Sequence, residues 1–235
     1  MQLFFEIVKN DLKLIFRDKS LMMMFFVPVL IMLFLRFGVP ELTALAPVLP
    51  GYYWLIISSL ISVAAALPAF LIGFLILDEK DENLYAVFQV LPLPQNFILK
   101  WRVLFTVLLG FMFSFFIITL NGLIQFNLIQ TVLIALQFSL IPPLLALSIV
   151  LIAKNKIEAA AVYKALSIFL ILPAAAFFIR SDWRFAFGVI PFFWSYNSVR
   201  MISEMFYFLI NFVVSFSFHG ALLVLIYRFY LRRNG

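Results

Sequence analysis

The chain has 235 residues, of which 66% are hydrophobic and 12% are charged, and its formal net charge at pH 7 is +6. A soluble domain cannot bury this much apolar surface, so the composition predicts one integral membrane domain. The basic residues lie in short clusters at the ends of apolar segments, which is typical of contact with phospholipid headgroups and not of nucleic-acid binding. The sequence contains no cysteine, which excludes disulfides, thiolate metal sites and cysteine nucleophiles.

Residues 1–19 are predicted to form an amphipathic helix that lies in the plane of the headgroups. Apolar side chains recur at helical spacing from Phe4 to Ile15 on one face. The basic residues fall on the opposite face: Lys9, Lys13 and Arg17. Asp11 falls on the apolar side and departs from the pattern. The alternative is a plain cytoplasmic extension of the first span. Acidic residues interrupt this segment, so we do not expect a cleaved signal peptide.

Residues 20–235 are predicted to form a transmembrane domain, because six apolar segments approach or exceed the ~20 residues that cross a bilayer as a helix. The predicted spans are Leu21–Phe37, Tyr52–Leu77, Val103–Leu123, Thr131–Ala153, Ala165–Phe178 and Met205–Tyr227. The first and fifth are short, so we expect each to be extended or tilted. With the N-terminus inside, few basic residues fall outside: Arg36, Arg180, Arg184 and Arg200. The predicted fold is therefore all-α, with six spans and both termini cytoplasmic.

A charged cytoplasmic segment, residues 78–102, follows the second span. Its carboxylates come first: Asp78, Glu79, Asp81 and Glu82. An apolar stripe at helical spacing comes next: Leu84, Val87, Phe88 and Leu91. Acidic residues are favourable at a helix N-terminus, and Pro92 ends the pattern. Because apolar residues at helical spacing in a cytoplasmic loop require a surface to pack on, a contact helix is favoured over a solvated loop.

The last outside segment, residues 179–203, is rich in aromatic residues. Trp and Tyr favour the headgroup level, which indicates an aromatic belt or a re-entrant helix that caps the outer leaflet. Pro191 can begin such a helix. Polar residues between Asn121 and Gln130 predict a short outside turn, and Pro142 with Pro143 permits a kink in the fourth span.

No catalytic constellation is present in the sequence. None of the eight glycines precedes Lys-Ser or Lys-Thr, so this chain has no P-loop with which to hydrolyse ATP. The single histidine, His219, lies in the sixth span. Interhelical hydrogen bonding is the favoured role for it, with a substrate or proton role as the alternative. We therefore predict a protein that is not itself an enzyme and contains no cofactor or metal.

These features resemble the membrane subunit of an ABC-2 type transporter. The family has a charged run after its second span, then an apolar stripe, a proline and a basic residue near the third span. The matching positions here are Glu79–Glu82, Val87–Leu91, Pro92 and Arg102, with Asn83, Leu84 and Leu91 departing from the common pattern. The outer stretch with Pro191, Tyr196 and Arg200 resembles the family's capping helix. The short chain is most similar to permeases of bacterial drug exporters, including the fluoroquinolone-exporter type.

The resemblance implies a permease that moves an apolar or amphiphilic molecule, a drug or a lipid-like compound, across the bacterial inner membrane. Its partners would be a cytoplasmic ABC ATPase, which binds ATP and Mg²⁺, and a second permease copy, identical or a sibling. The ATPase-coupling residues would be Glu79, Asp81, Glu82, Leu84, Val87, Phe88 and Leu91. The alternatives are a haem-exporter permease of cytochrome c maturation, and a six-span carrier or scaffold outside the ABC class.

Overall fold

The structure is a computed structural model that describes residues 2–17, 19–82 and 97–234. Within these ranges it is helical and contains no strand. The α-helices there are α1 (Gln2–Arg17), α2 (Lys19–Leu33), α3 (Val39–Leu45), α4 (Tyr53–Asp81), α5 (Phe97–Leu120), α6 (Leu128–Ser139), α7 (Ile141–Ile152), α8 (Lys156–Ala176), α9 (Pro191–Arg200) and α10 (Met205–Asn234). A π-helical segment (Phe34–Gly38) joins α2 to α3, and 3-10 helices occupy Leu49–Tyr52 and Asp182–Val189.

The predicted all-α fold with six spans is confirmed. Six segments of the described chain are long and apolar enough to cross a membrane. They run Met24–Leu45, Leu49–Asp81, Phe97–Leu120, Leu128–Ile152, Lys156–Ala176 and Met205–Arg233. The cytoplasmic location of both termini stays a prediction.

The first span is longer than the sequence pattern indicated. The apolar pattern placed its end at Phe37, and the expected extension of this short segment is confirmed, because the helix passes through the π-helical segment and continues to Leu45. Pro40 does not stop it: Gly38 and Val39 keep helical backbone angles, and the π-helical segment lies directly before this proline, where such local adjustments satisfy freed backbone groups.

The fifth span is also extended, as expected for a short segment: it begins at Lys156, nine residues before the predicted start at Ala165. The reason is a local cap. The side chain of Asn155 accepts a hydrogen bond from the backbone N–H of Glu158 at 3.0 Å, and the Glu158 carboxylate accepts one from the N–H of Lys154 at 2.8 Å. These bonds satisfy backbone donors at the start of α8, so the helix begins among polar residues.

The second and fourth spans form the interior of the bundle. In the most hydrophobic stretch of each, 78% and 72% of the residues are buried, against 17–33% for the other four spans. The core of α4 includes a run of small residues, Ala64, Ala65, Ala66 and Ala69, each with 0% exposure. Small side chains allow helix backbones to approach closely, which is the main source of packing between helices in a membrane.

Two connections between consecutive helices have a local cause, a proline in one and an asparagine in the other. The fourth span is broken between α6 and α7, with Pro142 in the first turn of α7. The predicted short turn after α5 is present: the Asn121 side chain accepts hydrogen bonds from the backbone N–H groups of residues 123 and 124 at 2.7 and 2.9 Å. Gly122 has φ +72°, and a Cβ atom there would lie 2.7 Å from Cδ of Arg36, so the turn requires glycine.

Candidate functional site

A buried arginine joins three helices at the end of the bundle where α1 lies. Arg102, in the second turn of α5, is 3% exposed. Its Nη1 and Nη2 atoms donate to the two carboxylate oxygens of Glu79 in α4, each at 2.5 Å. Its Nε and Nη2 atoms donate to the carboxylate of Asp11 in α1, at 3.3 and 3.1 Å. We call Asp11, Glu79 and Arg102 the charged cluster.

The charged cluster explains why Asp11 lies on the apolar face of α1. The same face contributes Ile15, which is fully buried and packs beside Leu71 of α4. A carboxylate there loses its hydration and needs a cation, which Arg102 provides. The planar guanidinium has enough N–H donors for two carboxylates at once, whereas a lysine ammonium could not form the bidentate bonds to Glu79.

Two further contacts join neighbouring helices at the same end of the bundle. Lys156, the first residue of α8, forms an ion pair with Asp78 of α4, and these side chains are 40% and 41% exposed. Arg233, near the end of α10, donates to the backbone carbonyl of Leu151 in α7 at 2.8 Å. Charged side chains thus link α1, α4, α5 and α8 in one group, and α10 to α7 in another.

The structure separates the residues assigned to ATPase coupling into three groups. Glu79 is turned into the protein and paired with Arg102, so its carboxylate is not part of an exposed docking surface. Asp81 and Glu82 are exposed at the end of α4. The apolar stripe lies outside the described residues: Leu84, Val87, Phe88 and Leu91. The basic residues of α1 are exposed, as a headgroup-facing surface requires: Lys9, Lys13 and Arg17.

At the opposite end, the helix that begins at Pro191 lies inside the bundle. Eight of the ten residues of α9 are buried, and the Phe192 ring lies 5.1 Å from the His219 ring, midway along α10. Burial raises the pKa of Tyr196, and its phenol donates to the backbone carbonyl of Leu170 in α8 at 3.0 Å. The Arg200 guanidinium lies 5.6 Å from the Trp54 ring of α4. The capping role assigned to Pro191, Tyr196 and Arg200 stays a prediction.

A chain of uncharged hydrogen bonds connects α9 to α6 and α10. The Gln137 Nε2 atom in α6 donates to Ser198 Oγ at 2.7 Å, and Ser198 Oγ donates to the backbone carbonyl of Ser195 at 2.8 Å. The Ser195 and Ser215 hydroxyls are 2.8 Å apart. The His219 Nδ1 atom is 2.7 Å from the carbonyl of Ser215. We call these five residues the polar chain; all are 0% exposed. A second link, from Asn197 Nδ2 to Asn211 Oδ1 at 2.7 Å, runs beside it.

Sequence reasoning missed most of these residues. It assigned His219 a bond to another helix, but the Nδ1 atom bonds within α10, and the contact with α9 is the ring of Phe192. Serines and a glutamine scattered over three helices carry no spacing signal, since serine often bonds to its own helix. Among the described residues, no three His, Cys, Asp or Glu side chains come together in a way that could hold a metal ion.

Comparison with known proteins gives the family. The family model for "Fluoroquinolones export permease protein Rv2686c-like" matches residues 11–227, a range that contains both the charged cluster and the polar chain. This chain belongs to that family. It is a multi-pass bacterial membrane protein and an export permease. The predicted similarity to the small fluoroquinolone-exporter permeases is therefore confirmed.

Two similar proteins carry this family description. The fluoroquinolones export permease proteins MT2760, from Mycobacterium tuberculosis strain CDC 1551 / Oshkosh, and Rv2686c, from strain ATCC 25618 / H37Rv, are each 26% identical to the chain over 204 residues. The match covers 83% of this chain and 81% of each relative. No solved structure matches the chain.

Proposed function

We propose that this chain is the membrane subunit of an ATP-driven drug exporter. It moves apolar or amphiphilic drugs of the fluoroquinolone kind out of the cell, and a separate cytoplasmic ABC ATPase that binds ATP and Mg²⁺ supplies the energy. A second permease copy completes the transport path. The names of the two relatives support the substrate and the direction, and the ABC-2 resemblance supports the partners.

The observation that carries the coupling mechanism is the position of the charged cluster relative to the undescribed residues 83–96. Glu79 lies in the helix before this stretch and Arg102 in the helix after it, so a bidentate ion pair joins the two flanking helices. Asp11 adds α1 to the same unit. A force applied by an ATPase to residues 83–96 would therefore act on α1, α4 and α5 together.

The connection from this unit to the rest of the protein runs through α4. This helix packs against α5, α7, α8 and α9, and it is the most deeply buried span of the described chain. A displacement of its charged end cannot be absorbed locally, because a densely packed interior transmits strain. Movement at the ATPase side would thus reach α9 at the opposite end. In this mechanism Glu79 acts through Arg102, while the exposed Asp81 and Glu82 are the acidic groups able to contact the ATPase.

The first experiment tests the partner. The tagged permease is purified in mild detergent from its native membrane, and co-eluting proteins are identified and quantified. We expect a soluble protein with a P-loop in near one-to-one ratio, and its loss in the Phe88→Asp variant, which places a charge in the apolar stripe. Phe88→Leu is the matched control and should retain the partner. Normal drug export by a well-expressed Phe88→Asp variant would contradict the coupling proposal.

A second experiment separates coupling from folding. Asp11→Ala leaves Arg102 and Glu79 as a neutral pair, so the bundle should still insert and fold, but α1 loses its charged link to α4 and α5. We expect reduced fluoroquinolone export with normal expression and ATPase association. Glu6→Ala removes an exposed carboxylate from the same helix and serves as the control. Equal export by both variants would show that α1 does not take part in coupling.

A further inference from the structure

Two hydrogen-bond acceptors in the polar chain have no partner. Gln137 Oε1 and His219 Nε2 are both buried, and neither atom forms a hydrogen bond with a described residue. Buried polar atoms are normally paired, and an unpaired one carries a free-energy cost because it has lost its contact with water. Two such atoms in one hydrogen-bonded chain therefore call for a functional explanation.

The geometry identifies both atoms as acceptors. An amide oxygen can only accept. For the histidine, Nδ1 lies 2.7 Å from the backbone carbonyl of Ser215, and a carbonyl can only accept, so Nδ1 carries the hydrogen. An uncharged imidazole has a single N–H, which leaves a lone pair on Nε2. The uncharged form is the one expected midway along a membrane span, where a charge without a counter-ion is costly.

The neighbouring side chains favour a hydrogen-bond donor from an incoming molecule over one from a rearranged side chain of the protein. The nearby hydroxyls already have partners: Ser198 donates to the Ser195 carbonyl, and Ser195 and Ser215 bond to each other. None of the five side chains of the polar chain carries a carboxylate or a guanidinium. The chain lies where α9 meets α6 and α10, so a separation of α9 from these two helices would break the links through Ser198 and Ser195.

We infer that Gln137 Oε1 and His219 Nε2 form a binding site for a hydrogen-bond donor of the transported molecule, an N–H or protonated amine, which α9 covers in the conformation seen here. Phe192, packed on the His219 ring, supplies an apolar surface for the body of an aromatic ligand. This inference rests on the proposed export function and names the chemical feature that the permease selects. Two acceptors without a carboxylate select for N–H groups and not for positive charge alone.

The test compares two probes of equal charge. Norfloxacin has a protonated piperazine with N–H donors, and its quaternary N,N-dimethylpiperazinium derivative has the same positive charge but no N–H. Binding of each to the purified permease is measured by fluorescence titration, and export of each is measured in inverted membrane vesicles. We expect the wild type to bind norfloxacin about 3- to 10-fold more tightly, which corresponds to one or two net hydrogen bonds.

The variants remove the acceptors one at a time. Gln137→Met and His219→Phe keep the side-chain volume, and each should lower the preference for norfloxacin while leaving affinity for the quaternary probe unchanged. His219→Gln retains an acceptor and should restore part of the preference. Ser114→Ala, at a buried α5 serine whose hydroxyl bonds to the Gly110 carbonyl, is the control. Gln137→Met also removes the bond to Ser198, and His219→Phe the bond to the Ser215 carbonyl, so thermal unfolding is measured for each variant to show that it is folded.

Three outcomes decide between the possibilities. A preference for norfloxacin that is lost in Gln137→Met and His219→Phe supports the site. A preference that these variants do not change, or an equal loss of affinity for both probes, overturns it, even where vesicles export both compounds. A wild type that shows the binding preference but exports neither probe supports the site and contradicts the proposed exporter.

Discussion

The charged cluster and the polar chain both join helices that are distant in sequence, but they do so with different chemistry. In the charged cluster one guanidinium near the start of α5 pairs with two carboxylates, one near the end of α4 and one in α1, and every charged group has a partner. In the polar chain, midway along α10, all links are uncharged and two acceptors stay open. A buried network whose groups all have partners is rigid, whereas an open acceptor can take a new hydrogen-bond donor. The first region suits force transmission and the second suits ligand binding.

The largest expected effect comes from breaking the charged cluster at its centre. Arg102→Ala leaves two carboxylates buried side by side without a cation, and the loss of one partner of a buried ion pair typically costs about 3–5 kcal/mol. We expect little folded protein, measured as the monodisperse fraction in detergent size-exclusion chromatography.

Arg102→Lys is the matched control for charge. It keeps a cation but cannot form the bidentate bonds, so its yield should lie between those of the wild type and Arg102→Ala. A yield of Arg102→Ala equal to that of the wild type would show that the cluster does not hold these three helices together.

A smaller effect is expected for a single link of the polar chain. Ser195→Ala removes the hydroxyl contact with Ser215, and hydrogen bonds between membrane helices contribute about 0.6 kcal/mol on average. We expect a drop of this size in the free energy of unfolding in mixed micelles. A double-mutant cycle with Ser215→Ala isolates the pair, and additive single effects would mean that the two hydroxyls do not interact.

The smallest effect is expected for the exposed ion pair at the end of α4. Lys156→Ala breaks the pair with Asp78, but about 40% of each side chain is exposed, and such pairs contribute roughly 0–1 kcal/mol. The free energy of unfolding should fall by no more than this, and the fall should shrink at high salt, unlike that of the uncharged Ser195→Ala variant. A loss as large as that of Arg102→Ala would mean that burial does not distinguish the two ion pairs.

Some errors in the predicted helix bounds have a common cause. The fifth span begins at Lys156 because Asn155 and Glu158 cap it, and hydropathy alone marks only the apolar part of such a helix. The first span passes its predicted end because the backbone keeps helical angles through the π-helical segment that precedes Pro40. Local hydrogen bonds decided these ends, and an average over side-chain hydropathy does not register them.

The sequence by itself determined the class of protein, the number of spans and the family, since these depend on the length and spacing of apolar runs and on the charged run from Asp78 to Glu82. It also showed that Asp11 is a charged residue on the apolar face of α1. Only the tertiary structure decided which charges and hydroxyls meet. Asp11 and Arg102 are 91 positions apart in the chain and Gln137 and Ser198 are 61 apart. Contacts at such separations follow from the way helices pack, and packing depends on shape complementarity summed over the whole bundle.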